Sequence, residues 1–292
     1  MIKYNPKTWF RHIFHFGKSD PFFIIWKELV MIMMITAAIA YLHMTYFPDA
    51  TMGQSLLAVY SLVGFVLSLL LVFRTNTAYD RWWEGRKKWG EMVNNTRNLA
   101  IKIAAKTNDP ELADFFGRMI PNYAFAVKEH LRNGVIMDEL DLTEEEYQLL
   151  DSVSHKPNLI AKMIYSKLLE MKDNELLTEE EFIVMDRNLS TFSDIIGACE
   201  RIKNTPLPYS YSNFMKKFIF IYVSSMPLAF VNALEYYSIL ITVFVFYVLV
   251  GLEILAEEIE DPFGNDPNDL PTDELSQKIR VNVKEIFRVQ NS

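Results

Sequence analysis

Residues 54–106 read QSLLAVYSLVGFVLSLLLVFRTNTAYDRWWEGRKKWGEMVNNTRNLAIKIAAK, and the change of character at Arg74 decides the fold. From Gln54 to Phe73 the segment is apolar on every side, as a helix surrounded by hydrocarbon must be. From Arg74 to Lys106 it is polar, charged and aromatic, with no Pro and only two Gly, so nothing stops a helix already under way. The pattern predicts one continuous helix over Ser55–Lys106 that leaves a bilayer and carries on into water.

The charges on either side support that reading. All 29 Lys and Arg fall in three blocks: up to Lys27, from Arg74 to Lys217, and from Lys278 to the end. A helical span needs about 20 apolar residues. Leu29–Phe47 and Leu56–Phe73 supply one span each, and Phe218–Ala256 supplies two, with its turn expected between Met226-Pro227 and Asn232. The fold class is therefore an all-α membrane protein with four transmembrane helices and a helical cytosolic domain.

Short loops rich in Lys and Arg stay in the cytoplasm. Lys3, Lys7, Arg11 and Lys18 precede the first span, whereas the connections near Asp49 and Glu235 carry no basic residue, which places both termini and the insert inside. The chain divides into an N-terminal cytosolic segment (1–20), two spans (21–73), a helical cytosolic domain (74–217), two further spans (218–256), and an acidic loop with a tail (257–292). Trp9, Phe10, His12 and His15 exclude a cleavable signal peptide and suit a basic, aromatic segment at the interface. Glu28, His43 and Glu253 read as span-end residues that snorkel toward water.

Composition removes several functions. A net charge of −8 leaves no basic face for nucleic acid. The one cysteine, Cys199, makes an intrachain disulfide impossible and reads as a small buried residue. GxGxxG, Walker, GxSxG and HExxH motifs are absent and the five His are scattered, so an enzyme is not expected.

Within the insert, Pro after Asp109 starts a helix, and Thr143–Glu146 and Thr178–Glu181 have capping-box spacing. Helices are expected near 109–132, 143–152, 157–172 and 178–203, the last stopped by Pro206 and Pro208. On the second span, Phe65, Leu69 and Phe73 recur at i, i+4 and i+8, and Ser61, Gly64 and Ser68 form a separate small-residue stripe. Both stripes are compatible with ordinary packing against lipid or a neighbouring helix. In AEEIEDPFGNDPNDLP, close-set acids among turn residues suit either a solvated loop or a hard cation such as calcium.

Three segments carry a family resemblance. FRTNTAYDRWWEGRKKWG at 73–90 resembles the signature of the bestrophins, in the form FRNNxAYxRWWEgRxxWG of their bacterial branch. GACERIKNTPLPYSYS at 197–212 agrees as well, and AEEIEDPFGNDPNDLP at 256–271 is similar to the family's NPFG segment and the acids after it. The resemblance implies a homopentameric ion channel with four spans per subunit and a second span that lines the pore. It puts an apolar neck at Phe65, Leu69 and Phe73, which would gate by dewetting, and a cytosolic aperture at Ile183.

Arg74, Tyr79, Arg81, Trp82, Trp83, Glu84 and Arg86 become a buried collar between the membrane and cytosolic parts. Asp266 and Asp269 fall where the family's calcium-binding acids lie, but Pro267-Asn268 interrupts the run, so this loop is expected to be structural or only weakly metal-binding. No cofactor is required. The expected partners are copies of the chain, membrane lipid and permeant monovalent ions, and the location is a bacterial inner membrane. The bacterial resemblance and the charge of −8 favour sodium or potassium. A chloride channel and a non-conducting membrane scaffold for a partner protein are the alternatives.

Overall fold

The structure, a computed structural model, describes residues 20–47 and 52–288. The expected interfacial lead-in with His12 and His15, and the connection at Asp49, lie outside the described residues. Among the described residues all regular structure is helical.

Asp20 opens the first helix, α1 (Pro21–Ile24), by accepting the Phe22 amide at 2.9 Å. There follow α2 (Trp26–Tyr46), α3 (Met52–Ala104), α4 (Pro110–His130), α5 (Glu144–Asp151), α6 (Lys156–Asp173) and α7 (Glu179–Asn204). The chain ends with α8 (Tyr209–Ser225), α9 (Pro227–Leu234), α10 (Tyr237–Glu260) and α11 (Thr272–Arg288). Both expected capping boxes form: Thr143 and Thr178 each receive an amide from the Glu three residues on, and that Glu accepts the Thr amide in return.

The described residues fold as two units, one comprising those up to Arg81 with Pro206–Glu260, the other Trp82–Thr205 with 261–288. α3 passes from one to the other without interruption. The first unit holds four helices long and apolar enough to cross a membrane: α2, the apolar part of α3, α8 with α9, and α10. In α2 the buried residues Leu29, Ile32, Thr36 and Ala40 recur every three or four positions, and Leu29 and Ile32 share a core with Leu67 and Leu71 of α3, Ile219 of α8 and Phe246 of α10. Outside that core, Met34, Leu42, Ile221, Leu240 and Phe244 are exposed, an apolar surface that hydrocarbon can cover and water cannot. Gly64 explains part of the small-residue stripe, because a Cβ there would come within 2.6 Å of the Tyr222 hydroxyl on α8.

The last apolar run turns later than expected. Pro227 breaks α8 from α9 but is itself the first residue of a new helix, a position where its missing N–H costs nothing. The reversal falls at Glu235, which adopts φ 48°, before α10 begins. The third span also starts earlier, at Tyr209.

In the second unit α4 is buried along most of its length, and Phe116, Tyr123 and Val127 pack in one core with Trp89 and Leu99 of α3, Phe192 and Ile202 of α7, and Ile279, Val283 and Phe287 of α11. Tyr123 stacks on Phe192 at 4.7 Å and donates its hydroxyl to the Phe192 carbonyl at 2.7 Å. Lys128 is buried among three carboxylates, Glu129, Glu139 and Asp273, and Arg132 adds a second cation to Asp273 at 2.6 Å. A buried ammonium needs such partners.

Candidate functional site

The apolar part of α3 is the least covered of the four candidate spans, with 11% of it buried against 22% to 33% for the others. Its exposed face carries Phe65, Leu69 and Phe73, which are 67%, 46% and 57% exposed. Steps of three and four residues along the same face lead on to Asn76, Asp80, Trp83 and Lys87, all exposed. One surface of the helix therefore changes from apolar to polar along its length, directly after Phe73.

The opposite face holds Arg74, whose side chain is fully buried. Its guanidinium meets Glu260 at 2.7 Å and Glu253 at 3.5 Å, both on α10. Glu253 is thus buried and paired, which corrects the expectation that it snorkels; the pairing partner, far away in sequence, turns it inward. Glu260 gathers further donors: its side chain accepts the Leu207 amide at 2.6 Å, and its carbonyl accepts from Arg81 at 3.1 Å.

Within a single chain the collar residues are unevenly covered. Tyr79 and Trp83 are 50% and 46% exposed, because helical spacing turns them away from the packed face that holds Arg74 and Ala78. Arg74 and Arg81 belong to the first unit. In the second, Trp82 donates its indole N–H to the Asn268 carbonyl at 3.0 Å, and Glu84 pairs with the exposed Arg201 at 2.5 Å. Arg86 is partly buried one turn before Gly90. Gly85 lets the 261–271 loop sit close, since a Cβ there would lie 3.1 Å from Phe263 and 3.2 Å from Leu270.

That loop braces itself. Asp269 is buried and accepts the Asp266 amide at 2.7 Å, while the Asp266 carbonyl accepts the Asp269 amide at 3.0 Å. Gly264 is required beside it, because a Cβ would come within 2.7 Å of the Asp269 carboxylate. Asp266 itself is exposed. One acid is thus turned inward onto the loop's own amide and the other lies on the surface. Ile183, in the second turn of α7, is 58% exposed beside the equally exposed Val184.

Cys199 is buried, and burial pushes its thiol up to about 12. We expect maleimide to leave it unmodified in the native protein and to label it only after unfolding; labelling of native protein at the rate of an open thiol would contradict this burial. The structure also unites residues that sequence reading left apart: His130, His155 and Glu200 meet in the second unit. Their separations of 25 and 45 residues match no short metal motif, so spacing gave no signal.

Residues 1–285 match the family described as bacterial/fungal bestrophin protein. A voltage-dependent anion channel-forming protein of Nostoc is 38% identical, covering 76% of this chain and 74% of the relative. A protein of the same description from Synechocystis is 36% identical over 77% and 75%, and one from Escherichia coli K12 is 30% identical over 78% and 75%. A crystal structure of a bacterial bestrophin homologue from Klebsiella pneumoniae superposes with a TM-score of 0.83 at 24% identity, covering 90% of this chain and 98% of that one.

Proposed function

From the premise that the chain belongs to the bacterial and fungal bestrophin family, we propose that it forms a passive ion channel, assembled from five copies around the exposed face of α3. The observation that carries this reading is that face itself: Phe65, Leu69 and Phe73 are exposed on the span that its own chain covers least. Five copies facing an axis would stack three apolar rings, a neck that controls conduction by excluding water rather than by binding the ion. Asn76 and Asp80, next along the same face, suit a wetted vestibule beyond it. Ile183, exposed on α7, is proposed to line a second constriction. The separation of basic residues into terminal and insert blocks supports a cytoplasmic location for both termini and for the second unit, with the spans in a bacterial inner membrane.

The permeant species is proposed to be a small anion. The names of the relatives favour it, and they do not support the sodium or potassium preference drawn from net charge. The neck carries no charge of its own to impose a sign.

The test is the reversal potential of the purified protein in a planar bilayer under a potassium chloride gradient. A value near the chloride equilibrium potential is expected, and Asp80→Asn, which removes a carboxylate from the vestibule face, should move it further that way. A value near the potassium potential would reject the anion assignment. No conductance would leave a membrane scaffold as the function.

A further inference from the structure

His130 is the last residue of α4, His155 stands at the N-terminal cap of α6, and Glu200 lies near the end of α7. Nε2 of His130 is 2.7 Å and Nε2 of His155 3.0 Å from one and the same oxygen, Oε1 of Glu200. The two imidazole rings are 4.5 Å apart, and one ligand atom from each of the three residues falls within a 4.8 Å sphere of separations. Their side chains are 26%, 32% and 31% exposed, so a solute can reach them. His155 and Glu200 also line a cavity of about 590 Å³, with Asp186, Ser190 and Ser193 along its wall.

We infer that His130, His155 and Glu200 form a binding site for a zinc-class divalent transition metal. Two imidazoles and one carboxylate are the donor set such borderline ions select, whereas calcium and magnesium take oxygen. The cavity leaves a fourth position for water or a further ligand.

The geometry needs only a small adjustment. Tetrahedral donors about 2.0–2.1 Å from zinc stand roughly 3.3 Å apart, so the Glu200 oxygen, now 2.7 and 3.0 Å from the two imidazole nitrogens, draws slightly away from each to admit the ion. In the metal-free arrangement, Nδ1 of His155 accepts the Asn158 amide at 3.2 Å, which leaves the ring proton on Nε2. Ligation through Nε2 moves that proton to Nδ1 of the His155 ring and exchanges the long capping bond for a metal bond. The ion would join the ends of three helices where Lys203 of α7 already binds the carbonyls of Leu131 and Arg132. This site does not depend on the conduction reading.

The experiment uses the full chain in detergent, stripped with a chelator, in a background carrying His12→Gln and His15→Gln to silence the N-terminal imidazoles. Equilibrium dialysis with metal analysis should find one zinc per chain, which excess calcium does not displace. His155→Asn keeps a side chain that caps a helix well while removing the ligand. It and His130→Gln should each lower zinc affinity by more than the roughly 10–100-fold that loss of an outer-shell partner costs. X-ray absorption of the bound zinc should show imidazole scattering that weakens in either variant. Unchanged affinity in both variants, displacement by calcium, or no bound zinc would each overturn the assignment.

Discussion

Replacing Phe65, Leu69 and Phe73 together by Ala is expected to raise ion flux through reconstituted channels by about tenfold or more. Each replacement removes a large exposed apolar group from the proposed axis, widening three successive rings and weakening the tendency of water to leave them. Lowering the barrier by about 1.4 kcal/mol is sufficient for that factor. Because these side chains are largely exposed within the chain, their loss opens no cavity in its core, and thermal stability should change little. Flux from proteoliposomes is the readout. A triple variant as stable as the parent with unchanged flux would remove these residues from the conduction path, since lipid-facing Phe and Leu have no means of limiting ions.

The largest loss of stability is expected from Arg74→Ala. The guanidinium is fully buried between Glu253 and Glu260, and the Glu253 side chain is 3% exposed. Removing the cation leaves a buried carboxylate without its counter-charge, which costs about 3–5 kcal/mol and should lower the melting temperature in detergent by on the order of 10 °C. Arg201→Ala is the control. Its ion pair with Glu84 is shorter, at 2.5 Å, but Arg201 is 65% exposed, and pairs in that setting contribute about 0–1 kcal/mol. Burial rather than distance sets the ranking. Equal effects of the two substitutions would contradict it.

Features made by neighbours in sequence were legible. Capping needs only a Thr and a Glu three residues apart, and both boxes appear where their spacing placed them. The long helix was equally readable, since neither a Pro nor a run of Gly interrupts 54–106. Pairings between distant residues were not. Arg74 and Glu253 are 179 positions apart, and nothing local to either distinguishes a buried pair from two solvated ends. The same holds for the meeting of His130, His155 and Glu200.

The turn falls at Glu235 rather than at Pro227 because Pro starts helices as readily as it ends them. α11 occupies most of the stretch expected to be tail. Its signal lies in Thr272, Ser276, Ile279, Val283 and Phe287, which keep helical spacing, but the acidic and turn-forming residues before it carry the pattern of a loop.

The burial of Cys199 makes the chain a reporter for its own assembly. It is the only thiol, and it is held in a state that does not react. A cysteine introduced at Asp80 or Ile183 would therefore be the one site that takes a spin label or a fluorophore, with no native residue to remove first. In a ring of five identical copies, such a label yields two distances between probes in a fixed ratio of about 1.6, the diagonal to the side of a regular pentagon. That ratio would count the subunits in a bilayer directly, independent of any resemblance to another protein.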